Sequence, residues 1–260
     1  MKICSYNLRG GGHKSPGNHW QCLINDLAAD IVFAQESEDP SRYFSQESFG
    51  KFKGCIHANV AHGKWGSALL AKNHVLEPIG IQGFDGWVVG ARLKDASIND
   101  RVQEMLIFSI HAPSPGPYEA HVNRILDGIA QCWDGTPLVL AGDFNLTTAI
   151  RHALEAADGM KNTSGERRLL ERLRREFGLI NAWQALHPNT NLPQTLRWTK
   201  APTRPYHCDA VFVSHSLLPH LVSAEVRNDG VFASLSDHNP ILVELGMSSN
   251  LSPGKSATQS

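Results

Sequence analysis

The chain is short of every feature that would settle its class at a glance. It has no apolar run long enough to cross a bilayer and no C-x-x-C pair. Its five cysteines, Cys4, Cys22, Cys55, Cys132 and Cys208, are scattered and odd in number. That argues against a disulfide framework and a zinc site, and favours a reducing compartment. Neither charge is in excess: 24 Lys and Arg face 25 Asp and Glu, for a formal net charge of −1. Any polyanion must then be met by a local patch or a metal ion rather than by bulk charge. The opening residues, Met1-Lys-Ile-Cys-Ser-Tyr-Asn7, hold no apolar leader segment, so a cytoplasmic location is expected. Nothing indicates a membrane or an obligate protein partner, and a monomer is expected. At 42% apolar and 19% charged, the 260 residues have an ordinary globular composition. One domain over residues 1–246 is expected, followed by a polar, disordered tail over 247–260.

What is present centres on Pro137-Leu-Val-Leu-Ala-Gly-Asp143-Phe-Asn145. Pro137 to Ala141 suit a fully buried strand, and Gly142 then frees the backbone. Residues two apart in an extended segment share a side, so Asp143 and Asn145 should project together from the strand end. A carboxylate and an amide placed there can hold a metal, a water and a phosphate oxygen. The alternative is a plain strand end whose Asn145 or Thr147 caps a helix beginning near Thr148.

The rest of the chain supplies company for that strand. Lys2 to Asn7 is β-capable and breaks at Arg9-Gly10-Gly11-Gly12. A helix from Asn18 to about Ala29 carries Trp20, Leu23, Ile24 and Leu27 as one stripe, and Ile31 to Ala34 is a buried strand ending in Gln35-Glu36. Lys53–Ala58, Trp65–Ala71, Val75–Ile81, Trp87–Leu93 and Val102–Ile110 read as an antiparallel meander. Helices follow over Tyr118–Cys132 and Arg167–Phe177. The second interleaves five arginines with Glu166, Glu171 and Glu176, either as a solvated, ion-paired face or as a nucleic-acid patch. In the strand Cys208–Ser214, Asp209 shares a face with Val211 and Val213, and a carboxylate there needs a partner. Ser236-Asp237-His238-Asn239-Pro240 leads into a closing strand, Ile241–Leu245.

Polar residues therefore gather at strand ends: Asn7, Glu36, His111, Asp143, Asn145, Asp209, Asp237 and His238. Hard oxygen ligands without thiolates suit Mg²⁺ or Mn²⁺. Taken singly, each residue also has a bland role in a turn or loop. Taken in order, the pieces Ser5-Tyr-Asn7-Leu-Arg9, Ala34-Gln-Glu36-Ser, Ser109-Ile-His111-Ala-Pro, Ala141-Gly-Asp143-Phe-Asn145, His207-Cys-Asp209-Ala-Val-Phe-Val and Ser236-Asp237-His238-Asn-Pro do not. In that order the chain resembles the endonuclease/exonuclease/phosphatase superfamily, the deoxyribonuclease I-like and exonuclease III-like fold.

The resemblance implies an α/β (α+β) fold, a four-layer α/β/β/α sandwich with two central mixed sheets and the active site at one end. It implies a Mg²⁺-dependent phosphodiester hydrolase, most simply an endonuclease acting on DNA or RNA. In this picture Glu36, Asn7 and Asp237 serve the metal, and His238 meets the scissile phosphate with Asp209 behind it. Asp143 and Asn145 handle the attacking water. His111 stands where abasic-site endonucleases usually carry Tyr, as in the deoxyribonuclease, deadenylase and sphingomyelinase branches. Deoxyribonuclease pairs that His with a Glu on a preceding strand, and between Lys64 and Lys72 there is no acid. His207, two residues before Asp209, is a candidate lining residue. Trp198 and Arg204 are candidates for stacking on bases and binding phosphates, together with Trp65, Arg197 and Lys200. The competing readings are a phosphodiesterase or phosphatase of a small molecule or lipid headgroup, and a non-catalytic binding module on the same fold. The last has no need of so costly a charged cluster.

Overall fold

Alternation of apolar side chains along the strands feeds three separate interiors, and this sets the number of layers. The computed structural model describes residues 1–12, 16–44, 50–98, 101–152, 155 and 160–246. In chain order the strands are β1 (Lys2–Asn7), β2 (Ile31–Ser37), β3 (Gly54–Asn59), β4 (Gly66–Ala71), β5 (Leu76–Ile79) and β6 (Val88–Ile98). They continue with β7 (Arg101–His111), β8 (Leu138–Asp143), β9 (Leu179–Asn181), β10 (Asp209–Ser214), β11 (Leu221–Val226) and β12 (Ile241–Leu245). One six-stranded sheet runs β11-β12-β1-β2-β4-β3 and the other β5-β6-β7-β8-β10-β9. Ile3, Ile31, Phe33 and Leu69 of the first sheet meet Val89, Ile107, Val139 and Val211 of the second in a shared core. The alternate residues Cys4, Tyr6, Val32 and Leu70 face outward onto Trp20 and Leu23. Leu106, Phe108, Leu138 and Leu140 face outward onto the helices Tyr118–Cys132 and Ser164–Phe177. This is the expected sandwich with helices outside.

Each sheet contains one parallel pair, and these pairs decide where polar residues go. β1 runs parallel to β2, with Asn7 beside Gln35. β7 runs parallel to β8, with His111 beside Asp143. Antiparallel β10 adds Asp209 opposite Asp143. The two parallel pairs thus end together and deliver Asn7, Glu36, His111 and Asp143 to one end of the sandwich. Just inside that end Gln35 Nε2 donates to Ser109 Oγ at 3.0 Å, and Ser109 Oγ donates to the Ala34 carbonyl at 3.0 Å.

Four expectations need correction. The meander is shared out: β3 and β4 pair in the first sheet, while β5, β6 and β7 pair in the second. All these pairings are antiparallel, but alternation alone does not say which sheet a hairpin joins. The first helix spans Pro16–Gln21 and then widens into a π-helical turn over Cys22–Asp26, and Arg9–Gly12 forms one helical turn of its own. No helix starts at Thr148, so neither Asn145 nor Thr147 is a cap. The arginine-rich helix begins earlier than expected, at Ser164, behind a capping box of Thr163 and Glu166. Its arginines pair with acids, Arg168 with Glu119 at 3.1 Å and Arg172 with Asp127 at 2.6 Å, which is the solvated, ion-paired face. The tail expected over 247–260 lies outside the described residues.

Gly142 lets β8 lie against β7 just before Asp143. Its φ is +147°, and a Cβ there would sit 1.8 Å from the Ile110 carbonyl oxygen. Backbone strain of this kind costs about 1–3 kcal/mol before the clash is counted. At about 2–4 °C per kcal/mol for a chain near this size, Gly142→Ala should lower Tm by roughly 5–10 °C in scanning calorimetry. A Tm unchanged from wild type would show that β7 can move aside at no cost.

Candidate active site

The site is built around one carboxylate. Asp143, 2% exposed, ends β8. Its Oδ1 accepts the Asn145 backbone N–H at 2.9 Å, which the left-handed φ of +55° at Asn145 allows. The Asn145 side chain turns back and donates to the Ala112 carbonyl at 3.0 Å. The other oxygen, Oδ2, accepts Asn7 Nδ2 at 3.0 Å and lies 3.8 Å from the Nε2 atoms of both His111 and His238. Asn7 Nδ2 also donates to Glu36 Oε1 at 3.1 Å, while Asn7 Oδ1 accepts the Arg9 N–H. Asn7 therefore ties the two carboxylates together. Glu36 reaches the cleft because β2 is irregular: its register shifts between Ala34 and Ser37, and Glu36 has φ +46°.

Asp209 and His238 come from different sheets and meet here. His238 Nδ1 lies 3.1 and 3.0 Å from the two Asp209 oxygens. Burial opposes charge on this imidazole. The negative charges of Asp209 and Asp143, with the Asp209 hydrogen bond, outweigh it and push His238 up to about 10. His111 is the opposite case. Burial dominates and lowers it to about 4, despite Asp143 nearby. Its ring packs against Trp65 and Trp87 at 5.5 and 5.3 Å, and its Nδ1 is buried without a partner among the described residues. Among the described residues no carboxylate sits behind it; Glu36 Oε1 stands in front, 3.5 Å from Nε2. One imidazole is thus charged at neutral pH and the other is not.

Burial also raises Asp143, with Asp209 adding to it and the two histidines offsetting part. Burial likewise raises Glu36, against the Asn7 hydrogen bond, and the charge of Asp237 adds to the shift. Asp237 pairs with Arg9 at 3.4 Å through Oδ2, and its Oδ1 is buried without a partner among the described residues. A cation fits this side of the cleft. Ligand atoms of Glu36, His111 and Asp143 lie within 4.8 Å of one another, and Asp237 Oδ1 is left without a hydrogen-bond partner among the described residues. Asp143, Cys208, Asp209 and His238 form a second group with the same spacing. That group is a poor metal site, because the Cys208 thiol donates to Asp209 and burial holds it protonated.

The remaining candidates lie beside this cluster. A cavity of about 630 Å³ opens next to Asn145, walled by Leu196, Trp198, Arg204, Tyr206 and His207. Trp198 is 44% exposed, meets Tyr206 edge-on at 5.9 Å, and has Lys200 over its ring. Arg204 lies over Tyr206 at 5.5 Å. His207 is buried: its Nδ1 donates to the Pro193 carbonyl at 2.9 Å, and burial lowers it to about 4. Arg197 does not stand free for substrate. Its guanidinium donates to the Ser236 and His238 carbonyls. Sequence reasoning missed Trp87, Leu196 and Tyr206, whose only signal was an aromatic or apolar residue near a strand end.

Residues 4–238 match the Endonuclease/Exonuclease/phosphatase family. Among curated protein sequences none matches the chain. Solved structures do. An AP endonuclease from Archaeoglobus fulgidus superposes with a TM-score of 0.70 at 17% identity, covering 94% of this chain and 99% of that one. The AP endonuclease LMAP from Leishmania major gives 0.70 at 13% identity, covering 94% and 87%. The 3′ phosphatase NExo from Neisseria, bound to product DNA hairpin, gives 0.69 at 17% identity, covering 94% and 99%.

The state of His238 has a consequence for stability. Its folded pKa, about 10, lies above the ordinary 6.5. The stabilisation is therefore complete below about pH 6.5 and is lost as pH rises through about 10. The Tm gap between wild type and His238→Gln should be widest near pH 6 and should narrow steadily toward pH 10. A gap constant over that range would mean that His238 is buried neutral.

Proposed function

Because the chain belongs to the Endonuclease/Exonuclease/phosphatase family, we propose that it is a Mg²⁺-dependent phosphodiester hydrolase whose substrate is nucleic acid. The observation that carries this reading is the buried Asp143 carboxylate with His111 and His238 each 3.8 Å away, only the second of them backed by a carboxylate, Asp209. Environments that push neighbouring groups apart in pKa separate the roles those groups can take.

In this reading Asp143 orients and deprotonates the attacking water, and Asn145 fixes its oxygen through the backbone hydrogen bond. His238, charged and braced by Asp209, donates from Nε2 to a phosphoryl oxygen as negative charge builds there. His111 is neutral and offers a hydrogen bond from Nε2. It is poorly suited to giving up a proton at neutral pH. Glu36 and Asp237 hold the divalent cation, and Asn7 keeps Glu36 in place. A divalent cation held there would supply positive charge against the negative charge that builds in the reaction.

Nucleic acid is favoured by the aromatic wall at the cavity mouth. Trp198 and Tyr206, with Lys200 and Arg204 over their rings, suit a base and its neighbouring phosphates. The Neisseria relative bound to a DNA hairpin agrees with this assignment. A small phosphodiester is the second reading, since about 630 Å³ also accommodates a single headgroup or nucleotide.

The test is a panel of supercoiled plasmid, single strands, RNA, an abasic duplex and a chromogenic bis-phosphodiester, each with Mg²⁺ and with EDTA. Cleavage of at least one nucleic acid with Mg²⁺ and none in EDTA is expected. Turnover of the chromogenic diester alone would reject the nucleic-acid assignment, and full activity in EDTA would reject the metal. Glu36→Gln should raise the Mg²⁺ concentration for half-maximal rate by roughly tenfold or more, the scale of weakening a metal site. An unchanged titration would remove Glu36 from the metal's ligands.

A further inference from the structure

Asp209 heads β10 in one sheet and His238 precedes β12 in the other. Their 3.0 Å contact therefore depends on something that spans the seam between the sheets. The short segment Gln194–Arg197 lies across it. Leu196 bridges Tyr206 on one side and His238 on the other. On the β10 side, the buried Thr195 hydroxyl accepts the backbone N–H groups of Cys208 at 3.0 Å and Asp209 at 3.1 Å. The Thr195 N–H donates to the Tyr206 carbonyl at 2.8 Å.

On the β12 side, the Arg197 N–H donates to the Asp237 carbonyl at 2.7 Å, and the Asn239 N–H donates to the Thr195 carbonyl at 2.8 Å. The Arg197 guanidinium donates to the Asn239 side-chain oxygen, to the Ser236 carbonyl and to the His238 carbonyl at 3.4 Å. It has no carboxylate partner among the described residues. Its charge is spent on three oxygens of one turn, the turn that presents Asp237 and His238.

We propose that Thr195 and Arg197 are positioning residues that set the Asp209–His238 geometry, Thr195 by holding the head of β10 and Arg197 by holding the turn before β12. The proposal rests on the hydrolytic role given above to the Asp209–His238 pair. Arg197 acts through the turn it holds, at His238 and through the backbone at Asp237, so the cycle is run at saturating Mg²⁺; a planar fork of donors is needed because the oxygens it holds belong to three residues. Lysine, with a single point of charge, can hold only some of these oxygens.

The test is a double-mutant cycle on the full chain with whichever substrate the panel identifies. Arg197→Met should lower kcat by roughly ten- to a hundredfold, the scale of misplacing a reacting group by about 1 Å, with KM little changed. Arg197→Lys should recover only part of the loss. In the His238→Ala background Arg197→Met should cost less than about twofold, because the group it positions is gone. Thr195→Val should behave like Arg197→Met, and Thr195→Ser, which keeps the hydroxyl, should lose less. If Thr195→Val does not fold, because it strands two buried N–H groups, the arginine cycle alone decides. The Nδ1 proton resonance of His238 reads the pair without turnover and should shift or broaden in Arg197→Met.

Three results would overturn the proposal. One is an equal loss from Arg197→Met in both backgrounds. Another is a rise in KM at constant kcat, which would make Arg197 a substrate contact. The third is full activity in Arg197→Met. If His238→Ala itself leaves kcat unchanged, it is the hydrolytic reading of the pair that fails.

Discussion

A carboxylate withdrawn from water beside two others is the constraint on which this structure turns. Asp143 faces Asp209 and Glu36 across a cleft that solvent scarcely reaches, and like charges at such range cannot all persist uncompensated. Compensation arrives from both sheets: His238 and its turn from one, His111 from the other, and the Asn7 amide between two of the acids. Those groups can converge only if the sheets end together. The paired parallel strands, the irregular step at Glu36 and the glycine before Asp143 all serve that convergence.

Two histidines share this cleft in different states because their second neighbours differ. His238 has a carboxylate behind it and another in front, so its ring is worth charging even in the dry interior. His111 has indole rings at its back and only the edge of the carboxylate cluster before it, so the energetic cost of burial prevails. The same side chain thus supplies a fixed positive charge at one wall and a neutral donor at the other. A negative phosphoryl group entering between them meets attraction on one side and hydrogen bonding on the other.

Much of this is legible in the sequence, for a physical reason. Polar residues at strand ends break the apolar rhythm, and Asn7, Glu36, Asp143, Asp209 and His238 stood out in that way, although only their order along the chain set them apart from ordinary turn and loop residues. That Asp209 needs a partner followed from its place among Val211 and Val213; that the partner is His238 came from the family resemblance. What stayed hidden depends on contacts between segments remote in sequence. Alternation specifies that a hairpin is buried, not which of two sheets receives it, so the division of the meander could not be read. Nor could the indole rings around His111, or the second life of Arg197, whose charge suggested a phosphate and whose partners are carbonyls. The arginine-rich helix shows the converse: its spacing of opposite charges was local, and it was readable.

The segment that crosses the seam reads two surfaces on alternate residues. Thr195 and Arg197 hold the chain's own backbone, whereas Leu196 and Trp198 line the cavity beside Asn145. Recognition and alignment are thus interleaved on one extended strip, independent as to side chain but inseparable as to length. A single inserted residue would exchange the two faces and lose both at once. Variation in this stretch should therefore be recorded as substitution and not as gaps.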